Sequence, residues 1–385
     1  MSLLEVEIER ILPGGYGLAH SAGHTVFVSL AAPGDRLRVR VERQQGNVLF
    51  ASIDEILVAS PDRVEPPCPY FGRCGGCDFQ QLTYEKQLAA KADIIRDCLH
   101  RIARLEEVPE IVVTPSPRDW RYRMRATWQI DWDERTIGYY ERGSRRVCDV
   151  ANCAVLVEQL EEMLERVRAA DWQEFPPALK HLDVVAGENG VSLAPQFAEF
   201  ETAELELGIR DEIYNYSAEA FFQVNPGLLA PLIEFALGEI SGEAAVDLYC
   251  GVGLFTLPLA RRFARVIGVE GNPMAVEFAR RNLQRAGLEN VRVVNAGVAE
   301  WIRKQALQTD LVLLDPPRAG AESAVIKGII DARAKRVTYV SCDPATLARD
   351  LRKLFAAGFV LESLLAFDLF PQTHHVETVV RLALV

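Results

Sequence analysis

The chain has 385 residues, of which 49% are hydrophobic and 25% charged, a composition typical of a globular protein with two or three domains. No apolar run is long enough to cross a bilayer, and residues 1–7 lack the features of a signal peptide, so we expect a cytoplasmic protein without membrane association. The formal net charge of −12 argues against nucleic-acid binding unless a basic face forms locally. Eight cysteines in a reducing compartment indicate metal binding or catalysis rather than disulfides.

The first module, residues 1–62, consists of short alternating apolar runs separated by turns rich in glycine and proline. This pattern predicts a small all-β barrel of the OB type. Arg36, Arg38 and Arg40 alternate with apolar residues, so they share one face of a strand. That face is either simply solvated or a stripe that contacts phosphates. The turn at residues 14–19 resembles that of the TRAM domain, a small RNA-binding β-barrel.

Three cysteines lie close together in a glycine-rich loop: Cys68, Cys74 and Cys77. Such a loop can wrap one metal centre, because glycine allows tight turns and thiolates bind zinc or an iron–sulfur cluster. The spacing alone does not distinguish the two. A fourth ligand must come from elsewhere. The candidates, in decreasing order of preference, are Cys153 at a predicted helix start, Cys148, and Cys98 in the apolar stripe of a helix.

The central stretch, residues 63–215, mixes helical and strand-like patterns. Helices are predicted at about 81–103 and 155–170, and strands at 123–130, 136–140 and 182–185. Four arginines are interleaved with two aromatic residues in residues 118–125, and a second cluster follows at Arg142, Arg145 and Arg146. This is a local basic face of the kind that holds single-stranded or flipped nucleotides, unless the arginines only pack on their own aromatic neighbours.

The last part of the chain, residues 216–385, alternates predicted buried strands with helices, as in an open parallel α/β sheet. The first helix after the glycine-rich turn is predicted to run through Phe263. One later strand ends at Asp315, which begins an acid–Pro–Pro loop, and another ends immediately before Cys342. The loop at residues 371–376 separates the last two predicted strands. Ligands bind where strands end in such sheets, so Cys342 lies where a catalytic or ligand-binding residue is expected, unless it is a buried core thiol.

The glycine-rich turn and the strands around it carry a nucleoside-binding pattern. Asp247 precedes Gly251 and Gly253, and Glu270 ends the next predicted strand. The glycines let a ligand approach the backbone, and the acid accepts ribose hydroxyls. A dinucleotide fingerprint requires a third glycine where Thr256 stands. The pattern therefore favours S-adenosylmethionine, which has no diphosphate.

A cysteine beside a methyl-donor site has a specific chemical use. C5 of uracil is a poor nucleophile, but a thiolate that adds to C6 produces an enolate whose C5 attacks the sulfonium methyl. A base then removes the C5 proton and the thiolate leaves. Cys342 is the candidate nucleophile, and Glu377 is the candidate base, with His375 as the alternative. The target base must be flipped out of its stack to meet both groups.

These motifs together resemble the bacterial RNA uridine-C5 methyltransferases, specifically the branch with a TRAM domain and a [4Fe-4S] cluster. The resemblance covers essentially the whole chain. The matching motifs are Cys68 with residues 74–77, and residues 149–153, 221–225, 247–251, 315–320, 341–344 and 375–377.

The resemblance implies a multidomain α/β fold in three parts. A TRAM-like OB β-barrel that binds RNA is expected at residues 1–62. A central α+β domain with the iron–sulfur cluster is expected at residues 63–215. A C-terminal Rossmann-like class I methyltransferase domain is expected at residues 216–385.

The resemblance also implies residue roles. The cluster is expected on Cys68, Cys74, Cys77 and Cys153. S-adenosylmethionine is expected to contact Gln223, Tyr249, Gly251, Gly253, Glu270 and Asp315. Cys342 is expected to be the nucleophile and Glu377 the base. The family commonly has asparagine where this chain has Leu254, so one side-chain hydrogen bond to the donor is expected to be missing, leaving Leu254 a backbone contact at most.

The implied reaction is S-adenosylmethionine-dependent methylation of uridine C5 in RNA, which produces 5-methyluridine. The preferred substrate is 23S ribosomal RNA, with the T-loop uridine of tRNA second, and we expect a monomer. Two other classes stay open at this point. One is an iron–sulfur RNA-binding protein without activity, and the other is a methyltransferase acting on protein or small molecules.

Overall fold

The computed structural model describes residues 2–176, 179–305 and 308–385. Residues 2–62 form six strands and no helix, which confirms the strands predicted there. The strands are β1 (Leu3–Glu7), β2 (Arg10–Ile11), β3 (Gly17–Ser21), β4 (His24–Val28), β5 (Arg36–Gln45) and β6 (Val48–Val58). They hydrogen-bond in the order β1-β5-β6-β4-β3-β2 and bury a small apolar core that includes Ala19, Val26 and Leu37.

A five-stranded antiparallel sheet with one covering helix forms the middle of the chain. Its strands are β8 (Arg125–Asp131), β9 (Thr136–Tyr140), β10 (Val147–Asp149), β11 (His181–Gly187) and β12 (Gly190–Ala194), in the order β10-β9-β8-β11-β12. Around it lie α1 (Tyr84–Arg101), β7 (Val113–Thr114), α2 (Glu158–Ala169), and the hairpin β13 (Leu205–Ile209) and β14 (Glu212–Tyr216). Helix α2 packs against β11 and β12.

The C-terminal part is an eight-stranded sheet with helices on both faces. Its strands are β15 (Gly242–Leu248), β16 (Phe263–Glu270), β17 (Val291–Asn295), β18 (Leu311–Leu314), β19 (Arg336–Ser341), β20 (Phe359–Phe367) and β21 (Glu377–Leu384), with β7 added at one edge. The helices are α3 (Leu229–Leu237), α4 (Thr256–Ala260), α5 (Pro273–Arg285), α6 (Val298–Arg303), α7 (Ser323–Ala332) and α8 (Pro344–Ala356). The order is β17-β16-β15-β18-β19-β21-β20-β7, parallel from β17 through β19 and antiparallel at β21. This is a Rossmann-like open α/β fold.

The sequence of β18 explains why this sheet is buried on both faces. Leu311 and Leu313 belong to one apolar core, whereas Val312 and Leu314 belong to the other. Strands covered by helices on both sides have continuous apolar sequences instead of alternating ones. Helix α1 lies in one of these layers, because it packs against α8. No helix within the described ranges is both long enough and apolar enough to cross a bilayer.

The structure corrects several sequence predictions. The helix predicted to run through Phe263 ends at Ala260, and Phe263 is instead the first residue of β16, where it pairs with Gly242. Cys153 lies in the turn before α2 and not at its first residue, which is Glu158. Hairpin β13–β14 was not predicted, although Leu205, Leu207 and Ile209 are buried in alternation with Glu206 and Gly208.

Candidate active site

The candidate site lies where four parallel strands of the C-terminal sheet end. Strands β15, β16, β18 and β19 run in the same direction, so their carboxyl ends meet at one edge. The order of the sheet reverses between β15 and β18, which places a crevice there. Crevices at such reversals are the usual ligand sites of open α/β sheets.

The glycine-rich turn after β15 has a strained backbone that the sequence accommodates. Tyr249, Gly251 and Gly253 have φ angles of 63°, 54° and 97°. A Cβ on Gly253 would lie 2.9 Å from the side chain of Leu257, so only glycine fits. The carboxylate of Glu270 accepts a hydrogen bond of 3.0 Å from the Gly251 N–H, which ties the turn to the end of β16.

One cavity of about 690 Å³ opens at this edge. Nearly all the residues predicted to bind the donor or to react line it: Gln223, Tyr249, Gly251, Glu270, Asp315, Cys342 and Glu377. Gly253 is not among the lining residues and shapes the turn from behind. Leu254 does line the cavity, but its carbonyl accepts a hydrogen bond of 3.1 Å from Tyr214 Oη.

Cys342 occupies the turn between β19 and α8. The side chain of Asp343 accepts a hydrogen bond of 2.8 Å from the Thr346 N–H and so caps α8 directly behind the thiol. Burial, together with the nearby carboxyls of Glu377 and Asp315, raises the pKa of Cys342 to about 12. The positive charge of Arg318 acts in the opposite direction. The free protein therefore holds Cys342 as a thiol at neutral pH.

Two buried carboxyls face this thiol. Burial raises the pKa of Asp315 to about 7, and Gln223 Nε2 donates a hydrogen bond of 3.2 Å to its Oδ2. Burial and the neighbouring Asp315 raise the pKa of Glu377 well above its ordinary value, and Glu377 Oε1 has no partner among the described residues. Raised acid pKa values next to a cysteine are typical of sites that move protons.

The alternative base, His375, is placed differently. It does not line the cavity that contains Cys342. Burial, the neighbouring His374 and Arg318 lower the pKa of His375 to about 3, so its ring is neutral. The geometry therefore favours Glu377 over His375 as the group that meets a substrate.

Basic and aromatic side chains extend from the cavity toward the surface. Arg123 and Arg125 line it, and the guanidinium of Arg125 lies 5.6 Å from the ring centroid of Phe221, which is 59% exposed. Arg125 is half-buried and its guanidinium donates to the carbonyls of Ala218 and Ala220, so the exposed ring of Phe221 is the group suited to stacking a nucleotide base. Sequence reasoning missed Asn272, which also lines the cavity, although Asn before Pro273 is a helix N-cap signal.

The arginines predicted to form a stripe on the N-terminal module are largely neutralised. Arg38 pairs with Glu5 and Glu55, and Arg40 pairs with Asp54. These exposed pairs leave little free positive charge for phosphates. The observation favours a solvated face over a phosphate-contacting stripe.

A second, small cavity is lined by the four cysteines predicted as ligands: Cys68, Cys74, Cys77 and Cys153. Cys148 does not line it and instead accepts a hydrogen bond of 3.2 Å from Arg73 Nε, and Cys98 is buried in α1. Within the described ranges no three His, Cys, Asp or Glu side chains converge on a single metal ion. The metal centre therefore stays a prediction.

Asp247 provides a test of the electrostatics beneath the site. It is fully buried, accepts a hydrogen bond from Thr256 Oγ1, and burial raises its pKa to about 7. Its folded pKa exceeds the unfolded value of about 3.9, so its stabilising contribution is present below pH ~4 and lost as pH rises through 7. We expect Asp247→Asn to reduce the fall in the free energy of unfolding between pH 5 and pH 8 by about 1–3 kcal/mol. Urea unfolding at several pH values measures this.

The matched control for this prediction is Glu300→Gln. Glu300 is an exposed acid of α6 whose pKa is lowered by Lys304, so its removal is expected to leave the slope above pH 5 unchanged. If the free energy of unfolding falls equally with pH in wild type and in Asp247→Asn, the raised pKa of Asp247 is contradicted.

The chain has a Rossmann-like fold with a glycine turn, an acid at the end of the second strand, and a cysteine that faces two carboxyls. These features of the fold and the site are those of a methyltransferase. Residues 181–384 match the model of the tRNA (uracil-5-)-methyltransferase family. The chain is 34% identical to 23S rRNA (uracil(1939)-C(5))-methyltransferase RlmD of Shewanella amazonensis, across 97% of this chain and 94% of that protein. It is also 34% identical to an uncharacterized RNA methyltransferase of Gloeobacter violaceus, across 98% of this chain and 95% of that protein.

Among solved structures, the chain is similar to the Pyrococcus abyssi tRNA (uracil-54, C5)-methyltransferase in complex with S-adenosyl-L-homocysteine. The TM-score is 0.76 at 25% identity, and the match covers 99% of this chain and 100% of that one. The chain therefore belongs to the RNA uracil-C5 methyltransferase family, and the family predicted from the sequence is confirmed.

Proposed function

We propose that this protein transfers a methyl group from S-adenosylmethionine to C5 of a uridine in RNA. The observation that carries the proposal is the shared cavity: the glycine turn, Cys342 and Glu377 all face it. A donor bound at the turn and a flipped base placed against the thiol would meet inside the same enclosure. The same arrangement argues against an RNA-binding protein that lacks activity.

The donor is proposed to lie along the ends of β15, β16 and β18. The residues proposed to hold it are Gln223, Tyr249, Gly251, Glu270 and Asp315, with Gly253 shaping the turn. The Tyr249 hydroxyl is buried without a partner among the described residues, and so is available to a ligand. S-adenosylmethionine, when bound, supplies an electrophilic methyl group.

The chemical steps follow from what the side chains can do. Cys342 reacts as its thiolate, after the thiol proton has passed to water. Sγ bonds to C6 of the uracil, the C5–C6 π electrons become an enolate, and C5 takes the methyl group as the bond between the methyl carbon and the sulfonium sulfur breaks. Glu377 then removes the C5 proton, the C5–C6 double bond re-forms, and Sγ leaves as a thiolate. A carboxylate with a raised pKa is a stronger base than an ordinary one, which suits this last step.

The preferred substrate is 23S ribosomal RNA, because relatives of similar length act on it, and tRNA is the alternative. The test offers unmodified 23S rRNA, 16S rRNA and tRNA with methyl-labelled S-adenosylmethionine, followed by digestion to nucleosides. We expect label in 5-methyluridine from 23S rRNA. Label in tRNA alone would show that tRNA, and not 23S rRNA, is the substrate. Absence of label in any RNA would contradict the proposed function.

We further propose that Cys68, Cys74, Cys77 and Cys153 hold a [4Fe-4S] cluster. The support is the donor set, because four thiols line one cavity and thiolates are the ligands of iron–sulfur clusters. Tyr139 also lines this cavity. When bound, the cluster would cross-link the cysteine loop to the turn before α2.

Replacing Cys153 with alanine is expected to remove the cluster. Anaerobically purified wild type is expected to be brown and to contain iron and sulfide, whereas Cys153→Ala loses most of the iron. Cys148→Ala is the matched control, because Cys148 lies outside the cavity lining and is expected to keep its iron. Colourless wild-type protein containing zinc would contradict the cluster assignment.

The division of the chain is proposed as follows. Residues 1–62 form a TRAM-like OB barrel, residues 63–215 contain the central domain with the cluster, and residues 216–385 contain the methyltransferase domain. Helix α1 and β7 pack with the C-terminal sheet, so they are proposed to join the second and third parts. We expect a cytoplasmic protein, since its proposed substrates are ribosomal or transfer RNA. We also expect it to be a monomer.

A further inference from the structure

The segment that leads into Glu377 has little regular structure of its own. Residues 370–376, here called the base loop, form most of the connection between β20 and β21, and Glu377 is the first residue of β21. Gln372 has a φ angle of 67° in this loop, a conformation that a non-glycine residue holds only with external support. The direction of the Glu377 carboxylate therefore depends on what holds the base loop.

The cysteine loop supplies that support. The backbone N–H groups of Asp78 and Phe79 both donate to the carbonyl of Gln372, at 3.1 and 3.0 Å. The carboxylate of Asp78 accepts a hydrogen bond of 2.8 Å from the N–H of His374 and pairs with His374 Nδ1. Asp78 directly follows Cys77, so the end of the cysteine loop and the base loop are joined by four contacts.

Other elements close around the same contacts. The side chains of Gln87 and Gln372 are linked by a hydrogen bond of 2.9 Å, and Tyr122 Oη donates to the carbonyl of Pro371. A Cβ on Gly15 would lie 3.1 Å from Asp78 Oδ2, so the turn of the N-terminal module packs directly on the pair. The Asp78–His374 pair is mostly shielded from solvent, with side-chain exposures of 13% and 24%.

We propose that Asp78 is a positioning residue for the catalytic base, and that it acts through His374 on the orientation of Glu377. The inference rests on the proposed uridine methylation. Asp78 lies in the cysteine loop and does not line the cavity, so it acts on the reaction only through the base loop. Its effect should appear in removal of the C5 proton and not in attack by Cys342 or methyl transfer.

The experiment separates these steps with two RNAs in single-turnover reactions. RNA with ordinary uridine reports all steps, whereas RNA with 5-fluorouridine stops at the methylated covalent adduct, because fluorine at C5 cannot be removed as a proton. For Asp78→Ala we expect adduct formation on the 5-fluorouridine RNA within about twofold of wild type. On ordinary RNA we expect release of 5-methyluridine to slow at least tenfold, with the adduct visible on a denaturing gel.

Four further variants make the result specific. His374→Ala is expected to reproduce Asp78→Ala, and the double variant is expected to be no slower than either single one, since the two residues act as one unit. Asp78→Asn keeps an acceptor for the His374 N–H and is expected to recover most of the rate. Asp62→Asn is the matched control, because Asp62 is also paired, with Lys86 at 3.0 Å, but does not contact the base loop.

The outcomes are distinct. Equal slowing on both RNAs, or unchanged release in Asp78→Ala and His374→Ala, would overturn the positioning role while leaving the proposed function intact. Wild type forming no adduct with either RNA would overturn the proposed function and this inference with it. Iron is measured in each variant. If Asp78→Ala lowers it, His374→Ala decides the question, because His374 is separate from the cysteines.

Discussion

Replacing Cys342 with alanine is expected to abolish methyl transfer, lowering turnover by about 10⁴-fold or more. Without the thiolate, C5 of uracil never becomes a nucleophile, so the reaction stops before the methyl group moves. The measurement is incorporation of labelled methyl into RNA, together with S-adenosylmethionine binding by calorimetry. Binding is expected to remain close to wild type, because Cys342 follows β19 whereas the donor turn follows β15.

The control for this prediction is another cysteine that contacts neither ligand. Cys98 is buried in α1 among apolar residues, so Cys98→Ala is expected to cost stability but not turnover. The two variants together show whether loss of activity follows the nucleophile or merely loss of any buried thiol. Cys342→Ala with full turnover would refute covalent catalysis in this site.

Replacing Glu377 with glutamine is expected to stop the reaction at the methylated covalent adduct, before the C5 proton is removed. The adduct forms and the methyl group transfers, but the amide cannot take the C5 proton, so product release slows by roughly 10²–10⁴-fold. The signature is a covalent protein–RNA species that carries labelled methyl and survives denaturation. Because the same group with a raised pKa must be ionised to act, wild-type release should accelerate as pH rises.

A carboxylate on the neighbouring strand provides the control. Glu362 lies on β20, pairs with Arg336 at 3.5 Å and is remote from the cavity, so Glu362→Gln is expected to behave as wild type. A variant of His375 that accumulates the adduct, together with normal turnover in Glu377→Gln, would transfer the role of base to His375.

Much of the candidate site was accessible from local sequence signals. The apolar run before Cys342 predicted a strand, and β19 ends at Ser341, one residue earlier in the chain. The glycine turn after Asp247 was recognised because positions with positive φ angles favour glycine, which is visible in the sequence. The helix predicted through Phe263 was wrong for a related reason, since a short apolar run fits helix and strand equally well until its partners are known.

Charge and ligand choice depended on partners that no local pattern contains. From the sequence, the face with Arg38 and Arg40 could be either solvated or a phosphate-contacting stripe, and the acids that pair with these arginines lie on neighbouring strands. Similarly, the sequence ranked Cys153 above Cys148 without a geometric reason. In the fold, only Cys153 of these two lines the cavity of the other three cysteines.

The sequence by itself determined the strands and turns around the reacting groups, the family, and the chemical types of those groups, because these depend on neighbours a few residues apart. Only the tertiary structure decided how the groups are held and charged. Asp78 and His374 are 296 residues apart, and burial next to Asp315 is what raises the pKa of Glu377. Both effects arise from contacts between distant segments and from exclusion of water, and neither exists until the chain has folded.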